Sequence, residues 1–293
     1  MKFGTQLTAV GKTDRREALQ FARALGCDGL EVDLPVAWLH SGRITPDALH
    51  AQALELRRDF DAEGMEFISL TPGLLLAHVQ APEIIRAACQ TAETLGVRTI
   101  RMFFAPHVRW GGPNSKLEGF LTDFDGLKDS RYWQERNAGE LAQMLAIAAD
   151  YDVRFVFELH HGFIINSASA AMRMLACHPA TRVGILMDPG NMVFEGNEGW
   201  RNSVQIMGEY LAYLHCKNGA YRREEGKWLQ EWASLPDGIA RYPEIVTALK
   251  DRDFSGYLSI EDLRKGLTPE ERVGDGIAYL KSLVASDERF MPS

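Results

Sequence analysis

Excess positive charge is missing from this chain of 293 residues. Its 32 lysines and arginines face 40 aspartates and glutamates, a formal charge of -8. An acidic surface repels phosphodiester backbones, so no nucleic-acid partner is expected. Cysteine is scarce. Cys27, Cys89, Cys177 and Cys216 form no CxxC pair, and their spacing suits neither a zinc ribbon nor a disulfide framework, so four reduced thiols are expected. No apolar run approaches the roughly 20 residues that cross a bilayer, and no membrane role is expected. The opening Met-Lys-Phe-Gly-Thr-Gln lacks the apolar stretch of a signal peptide, which makes the cytoplasm the expected location. Linkers and low-complexity segments are also lacking, and a single domain over 1–293 is expected.

What is present is a core and a rhythm. Hydrophobic residues make up 46% of the chain, ample for a large interior. A helix-like stretch ends at glycine and a short apolar strand follows, three times in the first hundred residues. Gly26 precedes Gly29-Leu-Glu-Val-Asp-Leu34, Gly64 precedes Glu66-Phe-Ile-Ser-Leu-Thr71, and Gly96 precedes Arg98-Thr-Ile-Arg-Met-Phe-Phe104. Thr45-Pro46 and Thr268-Pro269 place a capping hydroxyl before a proline at a helix start. Further strands are expected near 2–7, 154–159, 183–188, 211–217 and 256–261. Eight strands alternating with helices imply a parallel sheet closed into a (β/α)8 TIM barrel, with a doubly wound open sheet as the alternative. Two long connections, about 105–133 and 218–238, should lie at the barrel mouth.

Strand alternation selects a polar set. Residues two apart share a face, so Glu158 lies with Val156 and His160, Asp188 with Leu186, His215 with Tyr213 and Lys217, and Glu261 with Ser259. The opposite set, Phe155, Phe157, Ile185, Met187, Leu214, Leu258 and Ile260, is apolar and suits packing against helices. Four strands thus deliver three carboxylates and an imidazole to one mouth. They would repel one another unless joined by a cation, or they stand as separate polar groups bonded to neighbours. Oxygen ligands with one nitrogen favour a single divalent ion, Mn2+ first, with Mg2+, Co2+ or Zn2+ also suited.

Glu158-Leu-His160, Met187-Asp188-Pro-Gly-Asn191, His215-Cys-Lys217-Asn218 and Ser259-Ile-Glu261 resemble the sugar phosphate isomerase/epimerase group of xylose isomerase-like TIM barrels, which includes ketose 3-epimerases, hydroxypyruvate isomerases and inosose dehydratases. The resemblance implies that Glu158, Asp188, His215 and Glu261 ligate the metal and that Glu158 and Glu261 double as acid/base groups. It implies proton abstraction from a small ketose or polyol-ketone through an enediolate. A metal-dependent lyase of the inosose dehydratase type is the runner-up. An apurinic-endonuclease-like enzyme and a non-catalytic binding barrel rank lower. Asn191 and Asn218 depart from the group's common histidine and aspartate at those positions.

His160, Asn191, Lys217, Trp38 and Trp110 are the candidate substrate contacts. Lys217 is read as a ligand for a substrate oxygen, with carboxylate pairing as its alternative. His160 either binds a substrate hydroxyl or orients Glu158, and His161 is read as a loop residue. Phe163 and Trp232 are further wall candidates. Arg101 is expected to form a buried ion pair with Glu31. Arg222-Arg223, followed by Glu224-Glu225, reads as a solvated charge cluster. No glycine-rich phosphate cradle follows any strand, so the expected partner is an unphosphorylated sugar-like small molecule. Self-association into a homo-oligomer is left open.

Overall fold

The computed structural model describes residues 1–104 and 130–286. Its strands are β1 (Lys2–Gln6), β2 (Gly29–Asp33), β3 (Glu66–Thr71), β4 (Thr99–Met102), β5 (Arg154–Glu158), β6 (Val183–Met187), β7 (Leu211–Cys216), β8 (Asn218–Glu224), β9 (Lys227–Ala233) and β10 (Tyr257–Ile260). Eight of them close into a parallel barrel in the order β1-β10-β7-β6-β5-β4-β3-β2, which decides against the open sheet. Around it run α1 (Arg15–Ala24), α2 (Pro46–Glu63), α3 (Pro82–Leu95), α4 (Ser130–Ile147), α5 (Ala168–Leu175), α6 (Pro189–Phe194), α7 (Trp200–Met207), α8 (Tyr242–Lys250) and α9 (Asp275–Ala285).

Helix boundaries follow local chemistry. The Thr45 hydroxyl accepts from the Ala48 amide at 3.2 Å ahead of Pro46, whose missing N–H costs nothing there. At the other end of α2, Gly64 takes φ +59°, a backbone conformation that a side chain would strain, and turns the chain into β3.

The two faces of each strand sort as the alternation requires. Phe155, Phe157, Ile185, Met187, Leu214, Leu258 and Ile260 pack outward into the large core shared with the helices. Ile68, Val156, Leu186 and Tyr213 form a separate plug inside the barrel. Complete burial of such side chains stabilises by about 1.5–3 kcal/mol each. Val156, Leu186 and Tyr213 each stand two residues before a proposed ligand. The apolar plug is therefore the floor on which Glu158, Asp188 and His215 rest.

The connection expected at 218–238 folds back on itself. β8 and β9 pair antiparallel from Asn218↔Ala233 to Glu224↔Lys227. Asn218 anchors the base of this hairpin. Its amide donates to the Leu235 and Ala240 carbonyls at 2.8 and 2.9 Å and its oxygen accepts from the Gly219 and Ala240 amides at 2.9 and 2.8 Å. An aspartate there would repel the two carbonyls, a physical reason for asparagine. The connection expected at 105–133 reaches α4 at Ser130. Its Trp110, Gly111, Gly112 and Pro113 lie outside the described residues.

His78, only 2% exposed, is held against the Leu75 backbone, with Nδ1 3.0 Å from the amide nitrogen. Burial pushes its pKa down to about 4. The unfolded chain binds a proton near pH 6.5 and the folded chain does not until about pH 4. Stability is therefore complete above pH 6.5 and falls as pH drops through that window, by about 3 kcal/mol for this residue. Urea midpoints across pH 7.5 to 4 should fall more steeply in wild type than in His78→Gln. Parallel curves would remove His78 as the cause.

Candidate metal centre

Glu158 ends β5, Asp188 follows β6, His215 lies near the end of β7 and Glu261 follows β10. Each offers one ligand atom, and these atoms all lie within 4.8 Å of one another. His215 Nδ1 stands 3.3 Å from Glu158 Oε1, 3.8 Å from Asp188 Oδ2 and 3.4 Å from Glu261 Oε2. That nitrogen is buried and makes no hydrogen bond among the described residues.

The other face of the imidazole explains why. His215 Nε2 donates to both oxygens of Glu31, at 3.0 and 3.1 Å. Glu31 also accepts from Tyr213, Ser69 and Ser259 at 2.9, 3.2 and 2.5 Å. An acceptor with that many donors is ionised. Burial alone would raise its pKa, but His215 and Arg101 hold it below the ordinary value. With Nε2–H committed to Glu31, Nδ1 is the nitrogen turned to the three carboxylates, the arrangement in which a carboxylate orients a metal-bound histidine. Burial works against a charged imidazole, but Glu31 and Glu261 win and raise its pKa well above ordinary. The pocket demands positive charge at Nδ1, which a proton or a metal ion supplies, so metal binding should release a proton. Glu31→Gln keeps the shape, removes the charge and blurs the tautomer. Mn2+ affinity measured by calorimetry should fall about 10–100-fold, as loss of an outer partner typically costs. Unchanged affinity would make Glu31 purely structural.

The remaining carboxylate oxygens are held as well. Arg101, expected to pair with Glu31, instead donates to Glu158 Oε2. Glu31 is occupied by the donors above, and Glu158 lies on the neighbouring strand in register with β4. Burial pushes the Glu158 carboxyl up, and Arg101 and His215 overcome it to hold its pKa well below the usual range. Gln6, at the end of β1, donates to Glu261 Oε1 at 2.7 Å. Lys217 reaches Asp188 Oδ2 at 2.9 Å and Glu261 Oε2 at 2.5 Å. Burial would neutralise the ammonium, but those carboxylates raise its pKa instead. Burial first, then Glu158 and Glu261, push the Asp188 carboxyl up to about 7 against the pull of Lys217.

Asp188-Pro-Gly-Asn191 is a compact device. Asp188 Oδ1 accepts from the Asn191 amide at 2.9 Å as the cap of α6, and Pro189 takes the first helical position. The Asn191 side chain donates to Asp188 Oδ2 at 2.8 Å. Gly190 lets α6 pack close against Lys217, just past β7, since a Cβ there would come 2.5 Å from Lys217 Cγ.

His160 Nδ1 lies 2.7 Å from the His161 carbonyl, and its ring stacks on His161 at 4.7 Å and meets Phe163 at 4.8 Å. His161, read as a loop residue, sits at the centre, with Nδ1 2.8 Å from Asn191 Oδ1. Burial lowers the pKa of both imidazoles, so both are neutral hydrogen-bonding rings at pH 7. Trp232 faces the site from the hairpin, 4.9 Å from Lys217 Nζ and 6.2 Å from the His161 ring. Trp38 sits on the turn after β2 and is 48% exposed. Gln6 and Glu31 went unread in the sequence as site residues, although Gln6 ends β1 and Glu31 lies mid-way along β2 on its inward face.

The donor set fits a divalent cation: three carboxylate oxygens and one imidazole nitrogen converge, with Glu158, Asp188 and His215 buried and Glu261 partly so. No curated protein matches the chain by sequence. Among solved structures, 3-keto-D-glucoside 4-epimerase YcjR from E. coli is similar at 15% identity and TM-score 0.72, covering 96% of this chain and 99% of that one. D-psicose 3-epimerase from Clostridium cellulolyticum H10, solved with D-tagatose, is similar at 17% identity and TM-score 0.68, covering 97% and 99%. A xylose isomerase-like TIM barrel protein from Mycobacterium smegmatis, in complex with magnesium, shows 15% identity and TM-score 0.66, covering 92% and 87%. At these identities the likeness establishes the fold. The family profile described as xylose isomerase-like TIM barrel matches residues 19–283, and the chain belongs to that family.

Proposed function

We propose that the protein is a divalent-metal-dependent sugar isomerase or epimerase acting on a small, unphosphorylated ketose or polyol-ketone. The observation that carries this reading is His215 Nδ1, buried and without a hydrogen bond among Glu158, Asp188 and Glu261. Mn2+ is the preferred ion, and when bound it supplies the Lewis acidity that weakens a C–H beside a carbonyl.

The chain's own residues do the rest. Glu158 and Glu261 come from β5 and β10, with β6 and β7 between them, so they approach a bound sugar from different sides. Glu158 Oε2 is committed to Arg101, which leaves Oε1 as the oxygen to take or return a carbon-bound proton. Glu261 is the partner that works from the other side. Lys217 and Asn191 hold substrate oxygens, and His160 and His161 offer neutral ring nitrogens to hydroxyls. Phe163, Phe194 and Trp232 wall the site and exclude water. Return of the proton to the same carbon from the opposite face is epimerisation, and return to the next carbon is isomerisation. An unphosphorylated substrate is favoured because Arg222, a basic group of the hairpin, is bonded to Glu224 and Glu231 at 2.6 and 3.2 Å.

The experiment is incubation of Mn2+-loaded protein with a panel of free ketoses in deuterated water, followed by NMR. Deuterium should enter at the carbon beside the carbonyl, and metal-stripped protein should show none. Loss of a β-hydroxyl instead would make the protein a dehydratase. Absence of exchange across the panel with Mn2+, Mg2+ and Co2+ would end the reading.

A further inference from the structure

Asn191 sits between the metal centre and the His161 ring, and its contacts fix the direction of each hydrogen bond in that relay. Its side-chain nitrogen lies 2.8 Å from Asp188 Oδ2, 3.3 Å from the Leu159 carbonyl and 3.4 Å from Glu158 Oε1. A carbonyl only accepts, and the other two atoms are carboxylate oxygens, so the amide nitrogen belongs on that side. Asn191 Oδ1 is then the atom 2.8 Å from His161 Nδ1. An amide oxygen cannot donate, so His161 Nδ1 carries the proton. Burial keeps the ring neutral at pH 7, and a neutral imidazole protonated at Nδ1 presents Nε2 as an acceptor.

The ring is also held in place. It stacks on His160 with centroids 4.7 Å apart and meets the Phe194 and Trp232 rings at 5.5 and 6.2 Å. The next residue, Gly162, donates its amide at 2.5 Å to Glu195 Oε2, at the end of α6. The segment after β5 is thus clamped to α6 twice, once through the ring and once through the backbone. Its seat is beside the proposed metal ligands. Two hydrogen bonds of 2.8 Å through the Asn191 amide join the ring to Asp188 Oδ2, a span that a free ketose covers. An acceptor fixed this way favours a hydroxyl and rejects a carbonyl or phosphate oxygen, which would bring lone pairs face to face.

We propose that His161 is a specificity-determining residue whose Nε2 accepts a hydrogen bond from one substrate hydroxyl, and that Asn191 is the positioning residue that sets this tautomer. The proposal rests on the sugar-enzyme reading above and adds a requirement to it. The substrate must carry a free hydroxyl, not a carbonyl or an ester oxygen, at the position facing α6.

The first readout needs no sugar. Side-chain 15N NMR of Mg2+-loaded protein at pH 7, with His161 assigned from its loss in His161→Phe, should show a neutral ring with its proton on Nδ1. In Asn191→Ala the tautomer is released, and the Nε2–H form should appear. An Nε2–H or doubly protonated His161 in wild type overturns the proposal, and an unchanged tautomer in Asn191→Ala removes Asn191 from it. The second readout is calorimetric binding of D-fructose, D-psicose, D-tagatose and D-sorbose, and of monodeoxy forms of the tightest binder. In wild type one monodeoxy form should bind about tenfold more weakly than its parent, the size of one hydrogen bond to a fixed partner. His161→Phe should bind the parent about tenfold more weakly and no longer distinguish it from that deoxy form. His161→Gln, whose amide oxygen can accept in place of Nε2, should keep most of both. Comparing parent with deoxy form inside each variant cancels any general loosening of the site. The proposal is overturned if every deoxy penalty persists in His161→Phe, or if wild type binds no ketose. Deuterium exchange on free ketoses is read separately. No exchange with His161-dependent binding would reject the reaction and keep the residue's role, and exchange without that dependence would do the reverse.

Discussion

His215→Ala or Asp188→Ala protein, reconstituted with Mn2+ and dialysed, should hold no metal by elemental analysis, while wild type holds one ion per chain. The expected loss exceeds the roughly 10–100-fold that an outer-shell partner costs, because a ligand atom itself disappears. The two variants should differ in another respect. His215→Ala also deprives Glu31 of a donor, leaving a buried carboxylate short of a partner. Asp188→Ala removes the cap of α6 and frees Lys217 from one of its two carboxylates. Both should therefore lose stability, and the metal measurement belongs beside a denaturation curve. Metal retained at wild-type occupancy in a folded variant would place the ion elsewhere.

The second large effect concerns the two glutamates. Glu158→Gln and Glu261→Gln should each lower turnover by about 10²–10⁴-fold, or roughly 3–5 kcal/mol of barrier. The surroundings differ, and so should the side effects. In Glu158→Gln the new amide must turn its oxygen to Arg101, which points its NH2 toward the metal. In Glu261→Gln the new amide faces two donors, Gln6 and Lys217, and satisfies only one with its oxygen. Both variants should bind metal more weakly, so rates must be compared at saturating Mn2+. Full turnover there would remove that glutamate from the proton path.

Much of this was legible in the sequence, for definite reasons. Alternation in Phe155-Val-Phe-Glu-Leu-His160 and in Ser259-Ile-Glu261 separates core from mouth without any structure, because the pleat has a period of two. Glycine and Thr-Pro signals fix helix ends locally. What stayed hidden is what depends on which strands neighbour which. Arg101 and Glu31 look like natural partners as lone interior charges. Register sets Arg101 beside β5, within reach of Glu158, and Glu31 reaches His215 across the interior. His161 was concealed by its position past the strand end, where alternation no longer applies. Only the packing of Asn191 from α6 brings it to the centre. The hairpin needed its pairing register, since 218–238 reads in isolation as a long connection at the barrel mouth.

Glu31 ties the centre to the fold in a way that bears on how such a chain can change over generations. Its carboxylate joins side chains from β3, β7 and β10 beneath the site, and His215 is one of them. Breaking one partner of a buried charge network costs about 3–5 kcal/mol, a large share of the roughly 5–15 kcal/mol that holds a domain together. A lineage that no longer needed the proposed reaction could not shed His215 by drift alone, because the first substitution would threaten folding. Conversion into an inert binding barrel would require Glu31, Tyr213 and His215 to be replaced together by packed apolar residues.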